Sequence, residues 1–398
     1  GSAQATAVAK ASNGTVISGK TATWSVGGSS LASVTSGGVV NGLAAGAVTV
    51  TATIHGITGS ASLSIAAAPS TPLPPSGPSI AQLPRTFLNY SFPAKTGKTI
   101  TVAAGQDLQA ALNSAVRGDE IVLTAGATST GNYTLPAKSG TASNGWITIR
   151  SSQLSSLPAQ GNRVAASHAS LVPKIVTPNT SPALKTASGT SGWWIAGIEV
   201  TVASSVTPQQ YGLIFLGEAG SAQNSLAAVP QDIVLDRMYI HGLTTTNTSR
   251  CVALNSGRTQ ITDNYIVECH GKGFDSQAIA GWNGPGPYKI VNNSLHGAGE
   301  NIIFGGADPS IPNLSPSDIE IRRNHFYTPV SWKGVWTKKN LLELKNAVRV
   351  LVEGNVFDGS WIDGQTGWAV ILKSENQSGG CMWCRTTDVT MQRNLIRN

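Results

Sequence analysis

The chain has 398 residues, a net charge of +7 and only 12% charged residues. The basic residues are spread out, with no Lys/Arg run or RNA-binding signature. This argues against nucleic acid as a partner and suits an acidic polymer or an ordinary solvated surface. The length allows two or three domains, and no apolar run reaches the roughly 18–20 residues that span a bilayer as a helix.

Residues 1–66 read as an all-β module. TATWSV, ASVTSGGVVNGL, AVTVTATIHG and SASLSIA are short alternating strands separated by Gly, Ser and Asn turns. Trp24 in a T-W-S run, ASVTSGGVVNGLAAG at 32–46 and VTVTAT at 48–53 resemble the bacterial Ig-like group 2 domain. In that family one or more strands precede this part, so the resemblance implies an incomplete module, or one completed by another chain. The segment has no Asp or Glu. The resemblance implies a spacer or attachment role.

Residues 67–97 read as a linker. Pro69, Pro72, Pro74, Pro75, Pro78, Pro84 and Pro93 favour an extended, semi-rigid chain.

Residues 98–398 read as a solenoid. KTITVAAGQDLQAALNSAVRGDEIVLTAG (98–126) holds a strand, a helix and a strand. Leu108, Ala111, Leu112, Ala115 and Val116 fall on one helix face, and Gly118 is a natural stop. Such a helix suits covering the open end of a β-helix, whose first coil would otherwise expose core and strand edges. With GWITIRSS (145–152), this stretch resembles the start of pectate-lyase-like right-handed parallel β-helix proteins. SGWWIAGIEVTVAS (191–204) and YGLIFLGEAG (211–220) look like early coils.

From there one pattern recurs: TQITDNYIVE, YKIVNNSLHG, DIEIRRNHFY, RVLVEGNVFD and DVTMQRNLIR. Each alternates apolar residues and then places an Asn: Asn264, Asn293, Asn324, Asn355 and Asn394. A fixed unit whose length varies only in its loops marks a solenoid, and the period of two marks strands. The column of Asn is expected to stack at one corner, its amides bonding each other and the bent backbone, and Asn tolerates the left-handed conformation of a sharp turn. About eight to ten coils follow from the repeat. No capping segment is read after Asn398, so the last coil is expected to continue or to be covered by another chain, which would allow self-assembly.

Four cysteines allow three connectivities. Nearness in sequence and an oxidising location favour Cys251–Cys269 and Cys381–Cys384, the second a surface bridge in a Gly-rich loop. Cys381-Met382-Trp383-Cys384 has no second CxxC or His pair at zinc spacing, so a metal role is not expected.

The strands between the Asn copies, CVALNS, NIIFGG, LLELKN and AVILKSEN, align by their apolar positions. Leu254, Phe304, Leu344 and Leu372 should point inward, and Asn255, Gly305, Lys345 and Lys373 outward. Coils lie about 4.8 Å apart. Lys345 and Lys373 should therefore be vertical neighbours, with Glu343 and Glu375 on the same outer face. Two stacked ammonium groups repel, so one lysine should become a proton acceptor near neutral pH. A carboxylate beside them could bind a donor or hold a cation, which leaves Ca2+ open as a cofactor. This equipment suits β-elimination from a uronic acid: a cation neutralises the carboxylate and a base takes the C5 proton. LLELKNAVRVLVEGNVF followed by AVILKSEN resembles the alginate lyase and chondroitinase B group. That group pairs a Lys base with an Arg on a neighbouring coil; Lys373 stands where the Arg is expected. The same charges would also serve to solubilise a sheet face.

Trp332, Trp336, Trp361, Trp368 and Trp383 fall in or beside the loops of the last coils and are expected to line one groove, or to pin the loops down. Asp275, Glu300, Asp308 and His325 are weaker candidates, and HGKGFD lacks the glycines of a phosphate loop. The reading is an extracellular or cell-surface bacterial protein acting on an acidic polysaccharide. Lys345 is assigned as base, Lys373 as carboxylate partner and Glu343 as cation or hydroxyl ligand. The alternative is a non-catalytic adhesin, glycan-binding or filament-forming protein.

Overall fold

The computed structural model describes residues 2–28, 30–66, 80–207 and 209–398. The chain divides into two compact units, Gly1–Ser79 and Ile80–Asn398. Pro69, Pro72, Pro74, Pro75 and Pro78 lie outside the described residues.

The first unit holds two three-stranded antiparallel sheets. One pairs Thr23–Gly27, Gly46–Ile54 and Ile57–Ile65; the other pairs Ser2–Gln4, Val39–Gly42 and Ala32–Val34. His55 and Gly56 both have positive φ (49° and 80°), as a two-residue hairpin turn requires, and they close the pair Ile54–Ile57. Ala32, Val40, Val48 and Val50 form a small core with Trp24 and Leu31 against it.

The second unit is a parallel β-helix. Three parallel sheets of eight, ten and nine strands run its length, each strand pairing with the strand one coil on. Alternation along each strand sends Ile, Leu, Val and Phe into one continuous core. The ten-stranded sheet agrees with the expected coil number.

The Asn column is present, and its geometry explains the repeat. Asn264 Nδ2 donates to Asn293 Oδ1 at 2.8 Å, Asn293 to Asn324 at 3.0 Å, Asn324 to Asn355 at 3.1 Å and Asn355 to Asn394 at 3.0 Å. The same Oδ1 atoms accept the backbone N–H of the preceding Asn. Each Nδ2 also donates to a carbonyl of the coil before, such as Ile261 O or Ile290 O. The sharp turn itself is made by the residue before: Asp263, Asn292, Arg323, Gly354 and Arg393 have φ of 63°, 58°, 53°, 64° and 55°. The expectation that the stacked Asn takes the left-handed conformation is therefore corrected. The Asn satisfies the corner that its neighbour bends. The column begins where Met238 N donates to Asn264 Oδ1, and the earlier corners carry Met238 and Ile198 instead. That is why the repeat fades before residue 232.

The helix spans Leu108–Ser114. Asp107 caps it by accepting from Ala110 N, and it packs Leu108, Ala111 and Leu112 into the core against Thr99–Val102 and Tyr133–Leu135, the end strands of two sheets. It is shorter than expected. Ala115 is buried but extended, and Val116, 59% exposed, is not on the apolar face at all.

Residues 80–97 are not free linker. They cross the ten-stranded sheet from its last strand to its first. Gln82 N donates to Asp388, Arg85 N to Asp318, Tyr90 Oη to Asp232 and Lys98 N to Asp119. Tyr90 and Phe92 pack edge-on to Trp146 and Trp194. Asp232, Asp318 and Asp388 sit at left-handed positions at the strand starts, where Arg258 and Arg349 bind the first two.

Candidate functional site

The eight-stranded sheet carries the candidate chemistry on its outer face. Phe304 pairs with Leu344 and Leu344 with Leu372, as the alternation requires. Between the strands of Leu254 and Phe304, however, lies the strand Gln277–Gly281, where Ala280 pairs with Ala253 and Gly281 with Phe304. The outer row is Asn255, Trp282, Gly305, Lys345 and Lys373. Leu254, Phe304 and Leu344 are fully buried; Leu372 shares their inward register but lies on the last strand of this sheet and is 46% exposed.

Lys345, Lys373, Glu343 and Glu375 form one cluster. Glu343 Oε1 lies 3.6 Å from Lys345 Nζ and 3.4 Å from Lys373 Nζ; Glu375 Oε2 lies 3.6 Å and 2.7 Å from the same two groups. Lys345 also donates to Gln377 Oε1 at 3.1 Å, and Asn340 Nδ2 to Glu343 Oε2 at 3.1 Å. Glu343 and Glu375 share the outer face with the two lysines, and a carboxylate stands on either side of the pair, so the ammonium groups are not left to repel each other unopposed. Burial disfavours the Lys373 ammonium, but its bond to Glu375 and the Glu343 charge outweigh burial and hold it above the ordinary lysine value. Lys373 in turn holds Glu375 below the usual carboxylate range, against burial and with help from Lys345. Glu343 is fully buried and Lys345 only 8% exposed, so Lys345 is not the surface lysine the sequence suggested.

One coil back lies a second charged group, in which the weaker candidates Asp275 and Glu300 meet Lys338 and Lys339. Glu300 is fully buried and accepts from Gln277 Nε2 at 2.8 Å. Lys339 bridges Asp275 at 2.5 Å and Glu300 at 3.5 Å. Burial, opposed by Lys339 and Gln277, pushes Glu300 up to about 7. Burial likewise brings Lys338 down to about 7, against the attraction of Glu300, and its ammonium donates to Asn340 O at 2.7 Å. Nothing in the local sequence distinguishes Lys338 and Lys339 from solvated lysines; loop packing buries them.

Four of the five tryptophans lie in equivalent loops of two neighbouring coils, and Trp383 stands apart from them. Trp332 and Trp336 sit in the loop before strand Leu342–Leu344 and pack on His270, edge-on at 5.0 Å and stacked at 3.9 Å. Trp361 and Trp368 occupy the equivalent loop one coil on, Trp361 half-buried and Trp368 64% exposed. Trp383 leaves the opposite end of the strands, where its Nε1 donates to Leu314 O. Trp332 is buried and serves packing.

Cys251–Cys269 and Cys381–Cys384 are both disulfides. The first lies in the β-helix core. In the second, Cys381 is fully buried, so that bridge is less superficial than expected. Asp308 accepts from Ser378 N and Gly380 N and anchors this loop. His325 belongs to the nine-stranded sheet, away from the cluster. Among the described residues no group of three or more His, Cys, Asp or Glu side chains converges as a metal shell. Glu343, expected as a cation ligand, faces two ammonium groups instead. In the first unit, Ala5, Val8, Trp24, Val50, Ile54 and Ile57 line a groove of about 530 Å³ that holds no carboxylate.

No family model matches the chain, and neither does any curated protein. Among solved structures it is similar to an alginate lyase from Paenibacillus sp. str. FPU-7, at 15% identity and a TM-score of 0.36, over 75% of this chain and 99% of that one.

Proposed function

We propose that the protein is a polysaccharide lyase-like enzyme acting on an acidic polysaccharide at the outer face of the eight-stranded sheet. One observation carries this reading. The Lys345 and Lys373 ammonium groups share the same carboxylate oxygens at 2.7–3.6 Å, so one sugar residue can meet both. Lys373, with 40% of its side chain exposed, is the group a substrate carboxylate reaches first. A substrate carboxylate paired with Lys373 brings C5 of the same sugar beside Lys345, which as the free amine is the base that takes the C5 proton. Glu343, bonded by Asn340, holds the two lysines in register.

Around this centre we infer a right-handed β-helix, by the usual hand of parallel crossovers, capped at its first coil by the helix Leu108–Ser114. The N-terminal unit is read as a spacer of the bacterial Ig-like group 2 kind. Two disulfides suit an extracellular or cell-surface location. A second reading, a non-catalytic glycan-binding surface protein, is favoured by one observation: Lys345 is already engaged by Glu343, Glu375 and Gln377. Incubation with alginate, pectate and chondroitin sulfate separates the two. New ultraviolet absorbance from C4–C5 double bonds, lost in Lys373→Ala, supports the lyase. No absorbance change with any of the three removes it in favour of the second reading.

A further inference from the structure

The outer face of the eight-stranded sheet continues past the lysine cluster toward the first coils. The next row position before Lys345 is Gly305, whose φ is +102° and whose missing side chain leaves a saddle; a Cβ there would lie 2.7 Å from Lys345 Cβ. Beyond the saddle stands Trp282, half-buried, with the Arg250 guanidinium 5.2 Å from its ring centroid. The outward positions beside it, Ala253 and Ala280, are small.

Arg250 is unusual among the basic residues of this face. Its Nε is buried without a hydrogen-bond partner. The acids that act on it from a distance, Asp275 and Glu300, are bridged by Lys339. Burial holds its pKa below the ordinary arginine value. A desolvated guanidinium that lacks an acceptor is costly to keep, and it offers a fork that matches a carboxylate or sulfate. Trp282 supplies an amphipathic ring beside that fork, on which the C–H face of a sugar can stack.

We propose that Arg250 and Trp282 form a second subsite that takes an anionic sugar unit, its carboxylate or sulfate on Arg250 and its ring against Trp282. This inference rests on the reading of the face as a glycan site and gives the polymer a direction. Trp282 lies two coils from Lys345, and Arg250 three from the Lys345 coil, roughly 10 Å and 14 Å at the strand spacing. The chain of sugars therefore runs along the β-helix axis over the Gly305 saddle, with this subsite a few units from Lys345.

Affinity electrophoresis of the full chain through gels containing polygalacturonate, alginate, chondroitin sulfate or dextran tests it. Migration is expected to slow in at least one anionic gel and not in dextran. Arg250→Lys keeps the net charge but loses the fork, and Trp282→Ala removes the platform; each is expected to weaken retardation about tenfold. Melting curves identify any variant that fails to fold, and the two substitutions act at separate positions. Retardation unchanged in both folded variants, equal retardation in dextran, or none in any anionic gel overturns the subsite. The double-bond assay separates this from the lyase reading. Turnover without Arg250-dependent binding leaves the lyase and removes the subsite; Arg250-dependent binding without turnover does the reverse.

Discussion

Two columns run up the same β-helix, and they are built on opposite rules. The Asn corner stacks one residue type five times, and its amides bond each other and the backbone of adjoining coils. The outer row of the eight-stranded sheet stacks Asn255, Trp282, Gly305, Lys345 and Lys373, no two alike until the last pair. It lies beside buried atoms without hydrogen-bond partners, including Arg250 Nε and Asn340 Oδ1. Repetition in a solenoid pays for itself in stability when each copy satisfies the next. Difference from coil to coil, with polar atoms left open, marks the face that is free to do something else.

The largest expected effect comes from breaking the second column where it is buried. Glu343→Ala leaves Lys345 with less compensation in a site almost closed to water. Removing one partner of a buried pair costs about 3–5 kcal/mol. Chemical denaturation should show that loss, and a midpoint equal to that of the native protein would mean the cluster is solvated after all. Next comes the Asn column. Asn324→Ala removes the acceptor of Asn293 Nδ2 and its backbone N–H together. Each buried donor left unpaired costs about 1–3 kcal/mol. Glycan binding and any turnover should be unchanged in that variant below its melting point; a selective loss of binding would mean the two columns are not independent.

The pH dependence of stability sharpens the contrast, because the Asn column does not titrate. Glu300 binds its proton more tightly when folded, up to about 7, than an ordinary Glu does. Its contribution is therefore full below the ordinary carboxylate range and is lost as pH rises toward 7. Lys338 has the opposite shift, down to about 7. The unfolded chain holds that proton up to the ordinary lysine range, so folding gains stability as pH rises from 7 into that range. The two groups together give a minimum near neutrality. Glu300→Gln should flatten the acid limb and Lys338→Met the alkaline limb of melting temperature against pH. Limbs unaltered by either substitution would assign the dependence to other groups.

The same contrast explains what was legible in the sequence. The Asn corner could be read because the same residue returns with the same neighbours. The lysine pair could be placed because Leu344 and Leu372 fix its parity. The strand Gln277–Gly281 does not match the pattern because Gly281 stands where its neighbours carry Leu or Phe. Trp282 goes unmarked with it, and so does Arg250 at the start of its strand. The path of residues 80–97 was hidden for a different reason. Its anchors are single bonds to Asp232, Asp318 and Asp388, which are distant in sequence and set by backbone bends that no local pattern announces. The burial of Lys338, Lys339 and Lys345 comes from loops folding over a strand, and strand alternation carries no information about that.

The smallest expected change in stability belongs to Lys373, and it is the most informative for function. Lys373 shares both carboxylates with Lys345 but keeps 40% of its side chain in water. An ion pair that exposed is worth about 0–1 kcal/mol, because solvent screens it and the long side chain loses entropy. After Lys373→Ala, Glu343 and Glu375 both still face Lys345, so neither carboxylate is stranded. The melting temperature should therefore move little, while Lys345→Ala, made at a buried position, should lower it clearly. Turnover of an acidic polysaccharide should fall by orders of magnitude in both. A Lys373→Ala protein that melts normally and cleaves normally would remove Lys373 from the chemistry and leave its pairing with Glu343 and Glu375 as a contribution to the fold alone.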